Sequence, residues 1–116
     1  MRLPCQYWLS ATLTLLAGIP VWAAQQNASF EVRQQRIASP APTVRVQQGD
    51  TLVLELRSDT ALELHLHGYD LPLSLKPGMT GRLQLQAQIL GRYPLAAHGN
   101  GNHHAPPLLY VEVTPR

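Results

Sequence analysis

The chain has 116 residues, with nine basic and seven acidic side chains and a formal net charge of +2. It contains no basic stripe and no block of like charges, which argues against a nucleic-acid partner and against electrostatic attachment to a membrane. Once the amino-terminal segment described next is set aside, about 90 residues remain, which is enough for one compact domain and too few for two.

The amino-terminal segment, residues 1–23, has the features of a secretory signal peptide. Arg2 provides a basic start, an apolar core covers residues 9–16, and small residues precede the expected cleavage site. The pattern predicts cleavage after Ala23, with cleavage after Ala24 as a close alternative.

Removal of the signal peptide leaves residues 24–116 as a single domain without a membrane anchor. A retained anchor is the weaker interpretation, because the apolar run is short and is interrupted by Pro20. Cleavage also removes Cys5, the only cysteine of the chain. The mature protein therefore has neither a disulfide nor a thiolate, which excludes cysteine nucleophiles, CxxC redox pairs, cysteine zinc sites and copper centres built on a thiolate.

The rest of the chain is predicted to be all β, because its segments are short, alternate in polarity and are separated by Gly, Pro and Asn-Gly turn signals. The predicted strands are, in chain order, residues 29–37, 43–47, 51–57, 62–67, 71–75, 80–88, 92–97 and 108–114. About eight short strands imply a two-sheet sandwich or a small barrel.

Alternation along these strands assigns the buried faces. In the third strand, Leu52, Leu54 and Leu56 share one face and are expected in the core. Pro72 lies in the fifth strand, where it indicates a sheet edge because proline cannot donate a ladder hydrogen bond.

The fourth strand ends in the sequence HLHGYD, which begins at His65. Side chains alternate along a strand, so His65 and His67 point to one face while Leu64 and Leu66 point to the other. Two convergent imidazoles form half of a site for zinc, copper, nickel or iron. The alternative is a solvent-facing row of ordinary surface histidines.

The chain has five histidines, and all of them lie in two stretches. Besides the HLH pair, His98 directly follows the seventh predicted strand, and His103 and His104 come next in a loop rich in Gly and Asn. If the fourth and seventh strands are neighbours, the imidazoles converge at one end of the sandwich. The two strands would hold His65, His67 and His98 rigidly, so these three are the primary candidate ligands, with the loop pair as possible additions.

Two further residues are candidates near this site. Met79 follows a Pro-Gly turn and offers a thioether for Cu(I), or else packs against the core or its rim. Asp70 can accept a hydrogen bond from a ligand imidazole and so fix its tautomer, or it can cap the local turn. No Ser/His/Asp arrangement, close carboxylate pair or phosphate-cradling glycine loop is present, so no catalytic residue is assigned.

The order of these motifs resembles that of a cupredoxin. The relevant segments are VRVQQGDTLVLELRSD, then HLHGYDLPLSLKPGMTGRLQLQAQILGRYPLAAH, then LLYVEVTP, and together they cover most of residues 43–115. The resemblance is strongest to small exported bacterial cupredoxin-like domains that carry HxHGYD, a Pro-Gly loop and a Gly-x-aromatic strand ending in His. It implies a Greek-key β-sandwich, a periplasmic location and copper as the metal.

The resemblance also shows where this chain departs from blue-copper proteins. Those proteins carry a cysteine near the end of the Gly-x-Tyr strand, followed by His and Met. Here Ala97 and His98 occupy that end and no methionine follows. The resemblance therefore implies a type-2-like site made of histidines, suited to copper storage, buffering or delivery, with the copper ion and another periplasmic copper protein as partners. Two alternatives stay open: a metal-free interaction domain, and a one-electron carrier or type-2 copper oxidoreductase.

Overall fold

The computed structural model describes residues 23–98 and 105–116, and this part of the chain forms eight β-strands and no helix. The strands are β1 (Gln25–Val32), β2 (Thr43–Gln47), β3 (Thr51–Ser58), β4 (Leu62–Leu66), β5 (Leu71–Leu75), β6 (Thr80–Gln86), β7 (Gly91–His98) and β8 (Leu109–Thr114). The predicted all-β class is confirmed. The search for a helix long and apolar enough to cross a membrane, made over these same residues, finds none.

The strands form two sheets whose order differs from the chain order. One sheet has the order β1-β3-β6 and the other has the order β2-β8-β7-β4-β5. The β1–β3 and β2–β8 pairs are parallel, and the remaining pairs are antiparallel. This arrangement is a Greek-key β-sandwich. Strand β5, which contains Pro72, lies at a sheet edge as predicted.

The core lies between the two sheets and consists mainly of leucine and valine. Leu52, Leu54 and Leu56 of β3 are fully buried, as their alternation predicts. The opposing sheet contributes inward side chains from its central strands: Leu64, Leu66, Leu95, Leu109 and Val111. Burial of one such side chain stabilises the fold by about 1.5–3 kcal/mol, so this layer supplies much of the force that holds the sheets together.

The first strand differs from its prediction. It was expected over residues 29–37, whereas β1 runs from Gln25 to Val32. The reason is its parallel pairing with β3, which continues residue by residue back to Gln25 opposite Thr51. It ends before a tight turn in which Gln34 and Gln35 have φ values of 50° and 62°.

Most of the other strands begin and end close to their predicted bounds. The second and fifth strands match residue for residue. The sixth ends at Gln86 rather than at residue 88, because Ala87 leaves the ladder and exchanges backbone hydrogen bonds with Gly49 and Asp50. The fourth ends at Leu66, so His67 begins the following turn.

The leucine core yields a stability prediction. Leu54 is 0% exposed, and Leu54→Ala should lower the free energy of unfolding by about 2–5 kcal/mol because it removes buried methyl groups and leaves a cavity. Leu90→Ala is the matched control: Leu90 is 47% exposed, and the same chemical change there should cost under about 1 kcal/mol. Urea unfolding of both variants measures the difference, and equal losses would contradict the assigned core.

Candidate metal centre

Alternation along β4 places His65 on the outer face of the five-stranded sheet. Its neighbours Leu64 and Leu66 are buried in the core, so His65 must point the other way. The imidazole is 23% exposed, because neighbouring groups on the same face partly cover it.

The antiparallel pairing of β4 with β7 brings His98 to the same place. His65 lies opposite Ala96, and His98 lies opposite Glu63. His67, just beyond β4, donates its backbone N–H to the carbonyl oxygen of Pro94 at 3.0 Å, which holds the start of the turn against β7. Three imidazoles from two distant stretches thus share one face.

The three rings are in mutual contact. The ring centroids are 4.8 Å apart for His65 and His67, 5.1 Å for His65 and His98, and 5.6 Å for His67 and His98. One nitrogen from each ring lies within 4.8 Å of the others. The expected convergence of the three imidazoles therefore occurs. It lies on the face of β4 opposite the buried leucines, as the alternation predicts.

The donor set suits a transition metal. Metal–nitrogen bonds of about 2.0–2.1 Å in a tetrahedral site separate ligand nitrogens by about 3.3 Å, so nitrogens that now lie within 4.8 Å of one another would approach by up to about 1.5 Å to hold a metal. In the part of the chain that the structure describes, Nδ1 of His65 is the buried side-chain atom without a hydrogen-bond partner. A buried nitrogen left unpaired costs stability, and a bound metal is one way to satisfy it.

Asp70 lies beside this cluster. Its Oδ1 is 3.8 Å from Nε2 of His65, too long for a hydrogen bond but close enough for electrostatic attraction to a cationic or metal-bound imidazole. The residue has a φ of 53°, a left-handed conformation that Asp tolerates in turns. Its expected role as a partner of a ligand imidazole stays a prediction.

Glu63 was not among the residues predicted for the site. It precedes His65 by two residues on the same face of β4 and lies opposite His98 across the ladder. Its Oε2 accepts a hydrogen bond of 2.5 Å from the hydroxyl of Ser74 on β5. The period-two alternation already marked this residue as a neighbour of the HLH pair, whereas its pairing with His98 required the register of β4 and β7.

Two tyrosines support the turn that follows β4. Tyr69 and Tyr93 pack edge to face, with ring centroids 4.7 Å apart. The Tyr69 hydroxyl donates to the carbonyl of Ile89 at 3.1 Å, and the Tyr93 hydroxyl is 2.9 Å from the same carbonyl. Gly68 has a φ of 90° and lies against the Tyr93 ring, where a Cβ atom would overlap it. This contact connects the HLHGYD turn to β7.

The structure describes one of the three remaining candidate ligands, Met79. Met79 precedes β6, which belongs to the other sheet, and its side chain is 60% exposed. Its role as a ligand stays a prediction. His103 and His104 lie outside the described residues, as does the proposed signal peptide up to residue 22.

Comparison with known proteins supports the fold assignment. No protein-family model and no curated protein matches the chain. A copper-binding protein, solved by NMR in its apo form, superposes with a TM-score of 0.61 at 10% identity, over 78% of this chain and 88% of that one. A heme-copper terminal oxidase dimer gives 0.60 at 19% identity, over 77% and 65% of the two chains.

A copper-containing nitrite reductase from Thermus scotoductus SA-01 also matches, with a TM-score of 0.56 at 21% identity, over 81% of this chain and 28% of that one. The chain spans less than two thirds of the oxidase and reductase chains. At these identities the likeness establishes the fold alone, which is cupredoxin-like.

The close contact at Gly68 can be tested against a second glycine. Gly68→Ala should destabilise the protein because it adds both an unfavourable φ and an overlap with Tyr93. At Gly49, φ is 94° but no atom lies within 4 Å of the added Cβ, so Gly49→Ala incurs only the backbone cost of about 1–2 kcal/mol. Thermal unfolding should show the larger loss for Gly68→Ala, by about 1–3 kcal/mol. Equal losses would show that Tyr93 does not restrict this site.

The surroundings of Tyr93 also affect its ionisation. Desolvation, and secondly the nearby Tyr69, raise the pKa of the Tyr93 phenol above its usual value of 10.0. The folded protein therefore retains this proton to higher pH than the unfolded chain does. The corresponding stability is fully present below about pH 10 and is lost as the pH rises further.

An alkaline absorbance titration checks this expectation. One tyrosine of the folded protein should ionise later than the free amino acid, and Tyr93→Phe should remove that late step. Tyr110→Phe, which changes a tyrosine on β8, should leave the late step in place. A late step that survives Tyr93→Phe would assign the shift to another residue.

Proposed function

We propose that this protein binds copper through His65, His67 and His98 and serves copper storage, buffering or delivery in the periplasm. The observation that carries the proposal is the convergence of these imidazoles, with one nitrogen from each within 4.8 Å, on a cupredoxin-like fold. Copper is the metal of choice because open imidazole sites bind Cu(II) most tightly among the divalent first-row metals.

The character of the donors favours holding and releasing copper over rapid electron transfer. Three imidazoles supply nitrogen donors, and the described residues contain no cysteine to form the thiolate bond of a blue-copper centre. A bound copper ion would supply type-2-like Cu(II) chemistry at this position. His65, held on β4, would form the rigid part of the site.

The exposed position of two ligands supports delivery to a partner. His67 and His98 are solvent-exposed, so another copper protein could reach the ligands without opening the sandwich. Export through the signal peptide of residues 1–23 would place the protein in the periplasm, the compartment in which we propose that this exchange occurs.

Copper titration of single variants tests the ligand assignment. The parent protein should bind one Cu(II) per chain with a type-2-like spin-resonance signal. His65→Gln, His67→Ala and His98→Ala should each weaken binding by more than the roughly 10–100-fold that loss of an outer partner of a metal ligand costs. Gln84→Ala, an exposed position on the other sheet, is the control and should bind as the parent does.

Variants of the two loop histidines provide the comparison with the three proposed ligands. His103→Ala and His104→Ala should cost less affinity than the three variants above. Equally large losses of copper affinity in the loop variants would mean that the main ligands lie in the loop. Unfolding midpoints of the metal-free variants show that each one folds, which separates ligand loss from misfolding.

The identity of the metal and the class of function need two further measurements. Because open histidine sites take up copper readily in vitro, the metal content of protein purified from a copper-grown periplasm decides whether copper is physiological. Absence of bound copper in both experiments would favour the metal-free interaction domain. Bound copper that cycles reversibly at an accessible potential, or turns over a substrate, would favour an electron carrier or an oxidoreductase.

A further inference from the structure

A buried carboxylate lies away from the histidine cluster, at Asp50 in the turn between β2 and β3. Asp50 is 6% exposed, and it is the only buried charged residue in the part of the chain that the structure describes. Burying a carboxylate is costly unless charged or strongly polar groups surround it, so its partners require an explanation.

Two groups contact this carboxylate. The guanidinium of Arg116 forms an ion pair with Oδ1, and its Nε also donates to the Gln48 carbonyl at 3.3 Å. The backbone nitrogen of Ala24 donates to the same Oδ1 at 3.0 Å. This main-chain N–H is a neutral donor. A second cation in its place would stabilise the buried Asp50 carboxylate more strongly.

Ala24 is also the point at which the sheet begins. Its carbonyl accepts the backbone N–H of Thr51 at 3.0 Å, and the next residue, Gln25, starts β1 opposite Thr51. Ala23 precedes this contact and is exposed. Both polar groups of the Ala24 backbone are therefore used, one by Asp50 and one by β3.

We infer that the Ala23–Ala24 peptide bond is the processing site and that the new α-ammonium group of Ala24 is the second cationic partner of Asp50. An export peptidase would hydrolyse this bond with one water molecule. Ala23 would leave with a carboxylate, and the Ala24 nitrogen would gain protons and become an ammonium. Its position is already fixed by the hydrogen bond to Asp50. Arg116 is partly exposed, so solvent screens the repulsion between its guanidinium and the Ala24 ammonium.

This geometry distinguishes the two cleavage sites that the sequence permits. Cleavage after Ala24 would remove both the bond to Asp50 and the bond to Thr51. Cleavage after Ala23 retains both and strengthens the first, because a cationic ammonium then faces the Asp50 carboxylate in place of a neutral N–H. Strand β1 has a single neighbour, β3, so a fixed start is important for its pairing.

Two chains that differ by one residue test the inference. One begins at Ala23 and the other at Ala24, and each is released from a cleavable fusion that leaves no extra residue. At pH 7 in metal-free buffer the Ala24 chain should unfold at a temperature higher by roughly 4–8 °C. An α-amine in the unfolded chain has a pKa of about 8, and the ion pair with Asp50 would raise this in the folded protein. While the Asp50 carboxylate is ionised, the difference should thus be complete below about pH 8, and it should disappear as the pH rises past the folded-state pKa of the α-amine.

Substitution of the carboxylate gives the matched control. In Asp50→Asn the two chains should unfold at the same temperature, whereas in Asp59→Asn, an exposed carboxylate, the difference should persist. If Asp50→Asn does not fold, the comparison of the Ala23 and Ala24 chains that retain Asp50 still decides the question.

The exported protein provides the second arm. Its intact mass and amino-terminal sequence should correspond to a start at Ala24. Another start, or equal unfolding temperatures of the Ala23 and Ala24 chains at pH 7, would overturn the inference. It rests on the export proposed above but not on copper, and the metal-free measurements separate its failure from failure of the copper site.

Discussion

The antiparallel register between β4 and β7 is the constraint on which the candidate metal centre depends. It places His65 opposite Ala96 and His98 opposite Glu63, so that residues more than thirty positions apart in the chain share one surface. The leucines of β4 maintain this register, because a slip of one residue would bury the imidazoles and expose the leucines. The packing of the β4 leucines in the hydrophobic core therefore also fixes the positions of the histidines.

Short-range patterns in the sequence predicted the strands and the core well, but not the pairing of distant strands. Alternation gave the bounds of β2 and β5 and the buried leucines of β3, since these features depend on neighbouring residues. Strand β1 was misplaced because its apolar pattern is weak and its parallel pairing with β3 decides where it starts. Parallel partners are remote in the chain and leave no local signal.

The same distinction applies to the candidate site. Clustering in the sequence identified His65, His67 and His98 as a group, and the structure brings those three imidazoles together. The contact of His98 with the HLH pair, and the position of Glu63 opposite His98, could not be predicted without knowing the neighbour of each strand. Gly68 was visible as a turn residue, but its contact with the Tyr93 ring is a tertiary feature.

Two departures from the most stable local arrangement lie beside the histidines. Nδ1 of His65 is buried without a hydrogen bond, at a cost of about 1–3 kcal/mol, and Asp70 close by adopts a left-handed backbone. The turn with positive φ at Gln34 and Gln35 is closed by its own backbone bonds, so the fold explains it. Nothing in the sandwich requires an imidazole at position 65, where an outward residue of β4 could be any polar side chain. Because the His65 ring, with its unpaired nitrogen, also meets two further imidazoles, it is the departure that the proposed metal site would explain.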